Sequence, residues 1–508
     1  MVVAALALAL VVAVLAGAVM ARSVGTVIGA AAAHDRLLAR TVAEDVLHSA
    51  VIGVDRLAAV SRSVGGDRGA SLDELARTLE DQAGSDARVS VDLSEADGDV
   101  AIRVGAIVGG STATVTARLR PRSSPDVAWL IESRARDPLL QGLPRTACTW
   151  PNEDGRRHPG CRDMPLPVGA VLGPLHSNDR LPDGTEATSH APVTSSAVGP
   201  DGAAHRSEVP LPRDVATVLA DRPPTCRFRG PTLLRLDGPR IRVTSPRSVP
   251  RANDPPDVDR AIGCFDVDRA LLAGVVVVEL PSVATIEVVA DVADDCVLHP
   301  LGLEAVEDRE RTWACDAGDV FVWGRYTGTR TILAHDSIQL LWDVEPGDSA
   351  GPRPLDDGDM LGLVATDSIV LRRPLGRDPT SPHDVLVAFA GEDVPPFGTY
   401  PLDAPNPMAS HWDAPRVVAS MAALRGSLAP QNAGLGDAPS GPISIIGSLA
   451  ARFAPATTWD VLDRRGRPSG TREFPLVLDY DDRLIHSPPP AMPLIDDGRL
   501  RIIELDVG

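Results

Sequence analysis

Residues 2–21, "VVAALALALVVAVLAGAVMA", carry no charge over 20 positions. As a helix rising 1.5 Å per residue, such a run is long enough for a ~30 Å hydrocarbon layer, so the pattern predicts a retained transmembrane anchor. A cleaved signal peptide is the rival reading. It expects a basic start, a shorter apolar centre and a small-x-small exit, whereas here Arg22 closes the run. Beyond it, Leu37, Leu38, Val42, Val46, Leu47, Val51, Ile52, Val54 and Leu57 keep a helical period among charged positions, which predicts one long helix running on to about Val64. A second helix is expected from Ser71, where Ser71 and Glu74 have the spacing of a capping box ahead of Leu75 and Leu79.

After Gly84 the period changes to two. "ARVSVDLSEADGDVAIRVGAIVGGSTATVTARLRP" alternates apolar and polar through hairpin signals at Asp97-Gly98 and Gly109-Gly110, which predicts an antiparallel meander packed on the helix. From about 145 onward no helical segment stands out except a short one near 213–220. "TILAHDSIQL" (331–340) is echoed by "GLVATDSIVL" (362–371), with Ala334, Asp336, Ser337 and Ile338 matching Ala365, Asp367, Ser368 and Ile369. "VLGPLHSNDRL" (171–181) and "ISIIGSLAARF" (443–453) share the cadence. "RVVASMAALRGSL" (416–428) is a looser version that also fits a short helix. Such phrases predict the rungs of an irregular β-solenoid, with Asp-Ser or Asn-Asp at the corners. The polar, proline-rich inserts at 180–210, 345–359, 375–384 and 400–415 are expected as surface loops.

The fold class expected is therefore mainly β with an α+β N-terminal part. It comprises a transmembrane anchor over 1–21, an extended amphipathic helix over 22–66, a small α+β head over 67–140, a cysteine-containing β region over 141–250 and a β-solenoid-like ectodomain with Pro/Gly-rich loops over 251–508. Composition supports the β reading: with 44 Gly, 46 Pro and 3% aromatic residues, the core is built from small and branched aliphatic side chains between many turns. The net charge of −20 makes nucleic acid a poor partner. All 49 basic residues are Arg, which excludes Schiff-base and P-loop lysine chemistry.

Six cysteines, Cys148, Cys161, Cys226, Cys264, Cys296 and Cys315, contain no C-x-x-C pair, so zinc-ribbon and thioredoxin readings fall away. An even number downstream of an export segment fits disulfides, with free thiols the alternative. Among the connectivities, pairing of neighbours (148–161, 226–264, 296–315) closes the shortest loops at the lowest entropy cost.

No catalytic motif is present. His176, Ser177 and Asp179 supply triad residue types but lie within one turn, without a nucleophile elbow. The acidic loops with Asp356, Asp357 and Asp359, and with Asn178, Asp179, Asp183 and Glu186, offer oxygen ligands for Ca²⁺ yet lack the EF-hand pattern, so a solvated turn is the default. Asp479, Asp481 and Asp482 have the residue types of a glycosidase or polysaccharide lyase site. No cofactor is expected.

The N-terminal helix with its "A-x-x-V-A-E-D-x-L" stretch (Ala39 to Leu47) resembles the start of PilX-type minor-pilin-like proteins of type IV pilus systems. The remainder resembles large pilus-associated surface proteins of actinobacteria. The landmarks, in order, are Asp137-Pro138, Cys148 and Cys161, Gly173-Pro174-Leu175-His176-Ser177-Asn178-Asp179, Cys226 with Gly230-Pro231-Thr232, and Thr244-Ser245-Pro246. The two echoed phrases, Gly447-Ser448-Leu449, and Tyr480-Asp481-Asp482-Arg483-Leu484 with Pro488-Pro489-Pro490 follow. The resemblance implies a pilin-like head, an extracytoplasmic location at the cell surface, and a non-catalytic role in assembly or adhesion. The implied partners are the lipid bilayer through residues 2–21 and pilin subunits or the pilus assembly machinery. Pilins also carry a basic leader, a Gly before the cleavage point and a Glu five residues into the mature helix, none of which lies in 1–21. Either the natural start lies upstream, or the chain is an anchored relative that is not processed. Two further readings compete: a cell-wall- or polysaccharide-active solenoid enzyme, and a structural coat protein with no pilus partner.

Overall fold

The structure, a computed structural model, describes residues 2–64, 68–82, 87–96, 99–141, 143–149, 157–164, 171–179, 193–195, 209–219, 223–230, 232–245, 276–290, 318–348, 350–355, 358–371, 415–430, 442–462, 468–473, 475–495 and 500–507. They divide into two compact units, Met1–Arg122 with Asp497–Gly508, and Ser123–Asp496. Unit 1 is thus closed by the end of the chain, a discontinuity that no linear reading contains.

In unit 1, helix α1 spans Val2–Val64 and helix α2 spans Arg68–Gln82. Ala39, Ala43, Leu47, Ala50 and Val54 recur at helical spacing on α1 and are all buried. The small residues among them let the helix lie close to the sheet. The sheet has four antiparallel strands: β1 (Arg88–Ala96), β2 (Asp99–Val108), β3 (Ser111–Pro121) and the C-terminal strand Leu500–Val507 beside β3. Alternate positions on β2 and β3, including Val100, Ile102, Val104, Val115, Ala117 and Leu119, form one core with α1 and with Leu72 and Leu79 of α2. Gly109 and Gly110 join β2 to β3 with φ of 55° and 88°, the left-handed pair a two-residue hairpin of this hand requires. The Asp97-Gly98 turn lies outside the described residues. Helix α2 begins at Arg68, so Ser71 sits inside it rather than capping it. What ties α2 to the sheet is Glu80, whose Oε1 accepts from the backbone N–H of Val91 at 2.8 Å.

Unit 2 is built on two parallel ladders. One runs Cys226–Arg229, Val283–Val289, Thr329–Ala334, Met360–Ala365, Arg416–Ala423, Ile443–Ala454, then β4 (Trp129–Arg136), Leu175–Ser177 and Val193–Ser195. The other runs Thr232–Gly238, Val320–Tyr326, Ile338–Asp348, Ile369–Leu371 and Leu428–Pro430. The echoed phrases are physically stacked, with Ala334 paired to Ala365 and Ile338 to Ile369. Strands such as Met360–Ala365 are buried on both faces, which explains their unbroken apolar runs. One face joins the large core around Ile332, Leu363, Met421 and Leu449. The other is covered by a cluster that includes Ala491, Met492 and Ile495. The phrase at 416–428 is strand, not helix, through Ala423.

Two elements of the expected fold class are corrected. Among the described residues no helix is long and apolar enough to cross a membrane. From Arg22 onward α1 also carries Asp35, Arg36, Arg40 and Glu44, too many charges for that part of the helix to span a bilayer. The β strands of unit 2 do not form a closed solenoid either. Their two parallel ladders are joined where Ile338–Asp348 pairs with Arg416–Ala423 at Val344 and Val417, and Ile443–Ala454 branches to both β4 and Leu476–Tyr480.

Candidate functional site

The corners of the stacked phrases concentrate buried polar groups, and this is where a third segment meets the ladder. Asp336 and Ser337 form one corner, Asp367 and Ser368 the next, and Gly426 and Ser427 a third. Backbone N–H groups step between them: Asp367 donates to the carbonyl of Asp336 at 3.1 Å, Ile338 to Ser368 at 3.0 Å, and Ile369 to Ser427 at 3.1 Å. Asp319 satisfies the first corner from the side, accepting from Ser337 N–H at 2.9 Å and from Gln339 Nε2 at 3.0 Å. The third segment is the chain that leaves β4. Asp137 is wholly buried there and its Oδ1 accepts from Leu139 N–H at 3.0 Å. Arg145 reaches across to donate from Nη1 to Asp367 Oδ1 at 2.6 Å.

Three carboxylates, Asp137, Asp336 and Asp367, therefore act on the single guanidinium of Arg145. Burial pushes the Asp137 carboxyl up to about 6, and the neighbouring charge of Asp367 adds to the rise. Arg145 and the hydrogen bonds to Asp137 only partly offset it. Arg145 itself is held above its ordinary value: burial works against its charge, but the Asp367 bond and the surrounding carboxylates outweigh that. Just beyond it, Cys148 and Cys161 form a disulfide across 13 residues, with Cα atoms 5.8 Å apart. Cys226 is also disulfide-bonded, and Cys264, Cys296 and Cys315 lie outside the described residues.

The residue types singled out for chemistry are engaged in structural roles. His176 is buried, its Nδ1 2.8 Å from Thr194 Oγ1 and its Nε2 3.1 Å from Asn178 Oδ1. Asn178 in turn holds Val209 through a pair of backbone bonds. Asp179 accepts from Arg157 Nη2 at 2.5 Å and from Arg134 N–H at 2.7 Å, while His176 is bonded to Thr194 and Asn178, so the triad types are engaged with other partners. Asp359 accepts from Gly328 N–H at 2.6 Å as a turn residue. Asp356, Asp357, Asp183 and Glu186 lie outside the described residues. Asp479 is exposed on its strand, while Asp481 is buried and accepts from Arg483. Among the described residues, no group of three or more His, Cys, Asp or Glu side chains is placed to hold a metal ion.

A different kind of site lies at the start of α1. Val14, Leu15, Val19 and Met20 are 60–71% exposed, whereas from Ala39 onward the same helix is packed into the core of unit 1. Among the described residues these four side chains form an exposed apolar surface on the helix.

No protein-family model matches the chain, and no curated protein matches it in sequence. Among solved structures it is similar to the competence-associated pilin ComZ from Thermus thermophilus, at 11% identity over 84% of this chain and 84% of that chain, with a TM-score of 0.26. A likeness at this level places no residue and assigns no function.

Proposed function

We propose that the protein is a non-catalytic subunit of a pilus-like surface assembly, held in place by the N-terminal part of α1 packing against equivalent helices of neighbouring subunits. The observation that carries this reading is the exposure of Val14, Leu15, Val19 and Met20 on a helix whose other end is buried in its own head unit. Residues 2–21 add no charge that would oppose close packing of like helices. The order of landmarks shared with PilX-type and actinobacterial pilus-associated proteins supports the same role. The disulfide supports an extracytoplasmic location, since such bonds persist in oxidising surroundings. The engagement of His176, Asp179 and Asp481 in structural bonds supports a scaffold over an enzyme.

The test is peptide mass spectrometry on filaments sheared from native cells, compared with the washed membrane fraction. The expected result is recovery in the sheared fraction, lost when Val14, Leu15, Val19 and Met20 are replaced by Ser while the head and ladder keep their thermal unfolding. Recovery in the membrane fraction alone overturns filament assembly and makes the exposed surface a lipid contact.

A further inference from the structure

The segment leaving β4 is attached to the ladder by an asymmetric set of charges. Asp137 comes from the end of β4, Arg145 from the turn that carries the disulfide, Asp367 and Ser368 from the corner after Met360–Ala365, and Asp336 from the corner after Thr329–Ala334. Only one carboxylate, Asp367, has a direct bond to the guanidinium. Arg145 Nε and Nη2 and Asp137 Oδ2 are buried without a hydrogen-bond partner. When Asp137 is ionised, a wholly buried carboxylate keeps one oxygen without a hydrogen-bond partner, and the attraction of Arg145 does not repay the loss of water.

We propose that Asp137, Arg145 and Asp367 form an acid-tightened clasp, which holds the disulfide-bearing segment 137–149 on the stacked corners when Asp137 is protonated and lets it open as the surroundings turn neutral. Protonation removes the cost of holding the wholly buried Asp137 charge away from water, which outweighs the attraction to Arg145 that is lost, and leaves the Arg145–Asp367 bond in place. The released segment returns Asp137 to water, where its carboxyl ionises at the ordinary 3.8 rather than about 6. The docked state therefore binds the proton more tightly, and linkage requires that docking strengthen as pH falls through that interval. Cys148 stays joined to Cys161 in both states, so the clasp governs the seating of the loop and leaves its covalent closure untouched.

The experiment is hydrogen exchange by mass spectrometry on the full chain, with protection factors for peptides covering 138–149 corrected for the intrinsic pH dependence of exchange. In the wild type, protection of this segment rises about tenfold between about pH 7.5 and about pH 5, while protection of the Thr329–Ala334 ladder stays level. In Asp137→Asn the segment is held at its acid-side protection at both pH values. A wild-type segment whose protection does not change with pH overturns the proposal whatever the variants do. So does an unchanged pH response in Asp137→Asn or in the smaller Asp137→Ser.

Discussion

Glu287 and His335, 48 residues apart in sequence, meet at 2.7 Å between Oε1 and Nε2, while the other carboxylate oxygen of Glu287 accepts from Arg227 Nε at 2.6 Å. Burial opposes the charge on Glu287, but the bonds from His335 and Arg227 outweigh it and hold its carboxyl below the ordinary carboxylate value. The arrangement joins three neighbouring segments of the first ladder through one side chain. Glu287→Gln keeps the shape and removes the charge, and is expected to lower unfolding free energy by about 1–3 kcal/mol. Urea denaturation near neutral pH measures it. Because the folded carboxyl titrates below the unfolded one, this contribution is present above the unfolded value of 4.5 and fades as pH falls through the lower, folded value. The difference between wild type and variant should shrink in acid.

Asp137 has the opposite sign. Its folded carboxyl is raised to about 6 from 3.8, so ionisation above that interval costs stability, and acidification from 6 towards 3.8 returns it. Asp137→Asn is expected to flatten this part of the stability–pH curve and to match or exceed the wild type near neutral pH. Thermal unfolding at a series of pH values reads both. A variant less stable than wild type at neutral pH, with the acid-side gain intact, would show that another group titrates there.

Replacing Cys148 and Cys161 together by Ser should cost about 3 kcal/mol, the entropy of closing a loop of this size in the unfolded chain. The loss should appear as a lower denaturation midpoint that chemical reduction of the double variant does not reduce further in the same segment.

How much of this was legible in the sequence depends on how local each signal is. The helical run through Leu47 and Val54, the Gly109-Gly110 turn and the stacking of Ala334 and Ile338 on Ala365 and Ile369 follow from patterns within a few dozen residues, whereas Leu37, Leu38 and Ile52 of the same periodic set are exposed and Ala39, Ala43 and Ala50 carry much of the buried face instead. The start of α2 was misplaced because Ser71 and Glu74 satisfy a capping spacing that also occurs inside helices. The place of β4 between Ile443–Ala454 and Leu175–Ser177 was not readable, since parallel neighbours are chosen by long-range packing and not by adjacent turns. The same holds for the clasp: Arg145 and Asp367 are 222 residues apart. Only the repeated Asp-Ser corners and a buried Asp ahead of Pro138 point towards it, and neither names the arginine.

Gly447 and Gly351 separate two causes of glycine dependence. Their φ values are 142° and 141°, equally unfavourable for a side chain. A Cβ at Gly351 meets nothing within 4 Å, whereas one at Gly447 runs into the carbonyl oxygen of Ala419 on the paired strand. Gly351→Ala should cost about 1 kcal/mol from backbone strain alone, and Gly447→Ala clearly more, towards about 3 kcal/mol or beyond, because the parallel ladder must open there. Equal losses in parallel denaturation curves would mean that the Arg416–Ala423 and Ile443–Ala454 strands separate at little cost.

Arg330 occupies an inward position in the same register as Ile332 and Ala334, and is 1% exposed. Its Nε and Nη1 find no hydrogen-bond acceptor. Burial lowers the guanidinium to about 10, and the charge of Asp359 offsets this only in part. A charge in this position is opposed by desolvation and poorly repaid by bonds. Methionine matches its length, packs among Tyr326, Ile332 and Leu361, and leaves no donor unsatisfied. Asp359 keeps its bond from Gly328 N–H in the variant. Arg330→Met is therefore expected to stabilise unit 2 by about 1–4 kcal/mol, the range seen when poorly paired buried charges give way to apolar side chains. A rise in the denaturation midpoint checks it. A fall would mean that Arg330 is held by attraction to Asp359 strongly enough to repay its burial, and would place that pair among the interactions that specify the register of the strand.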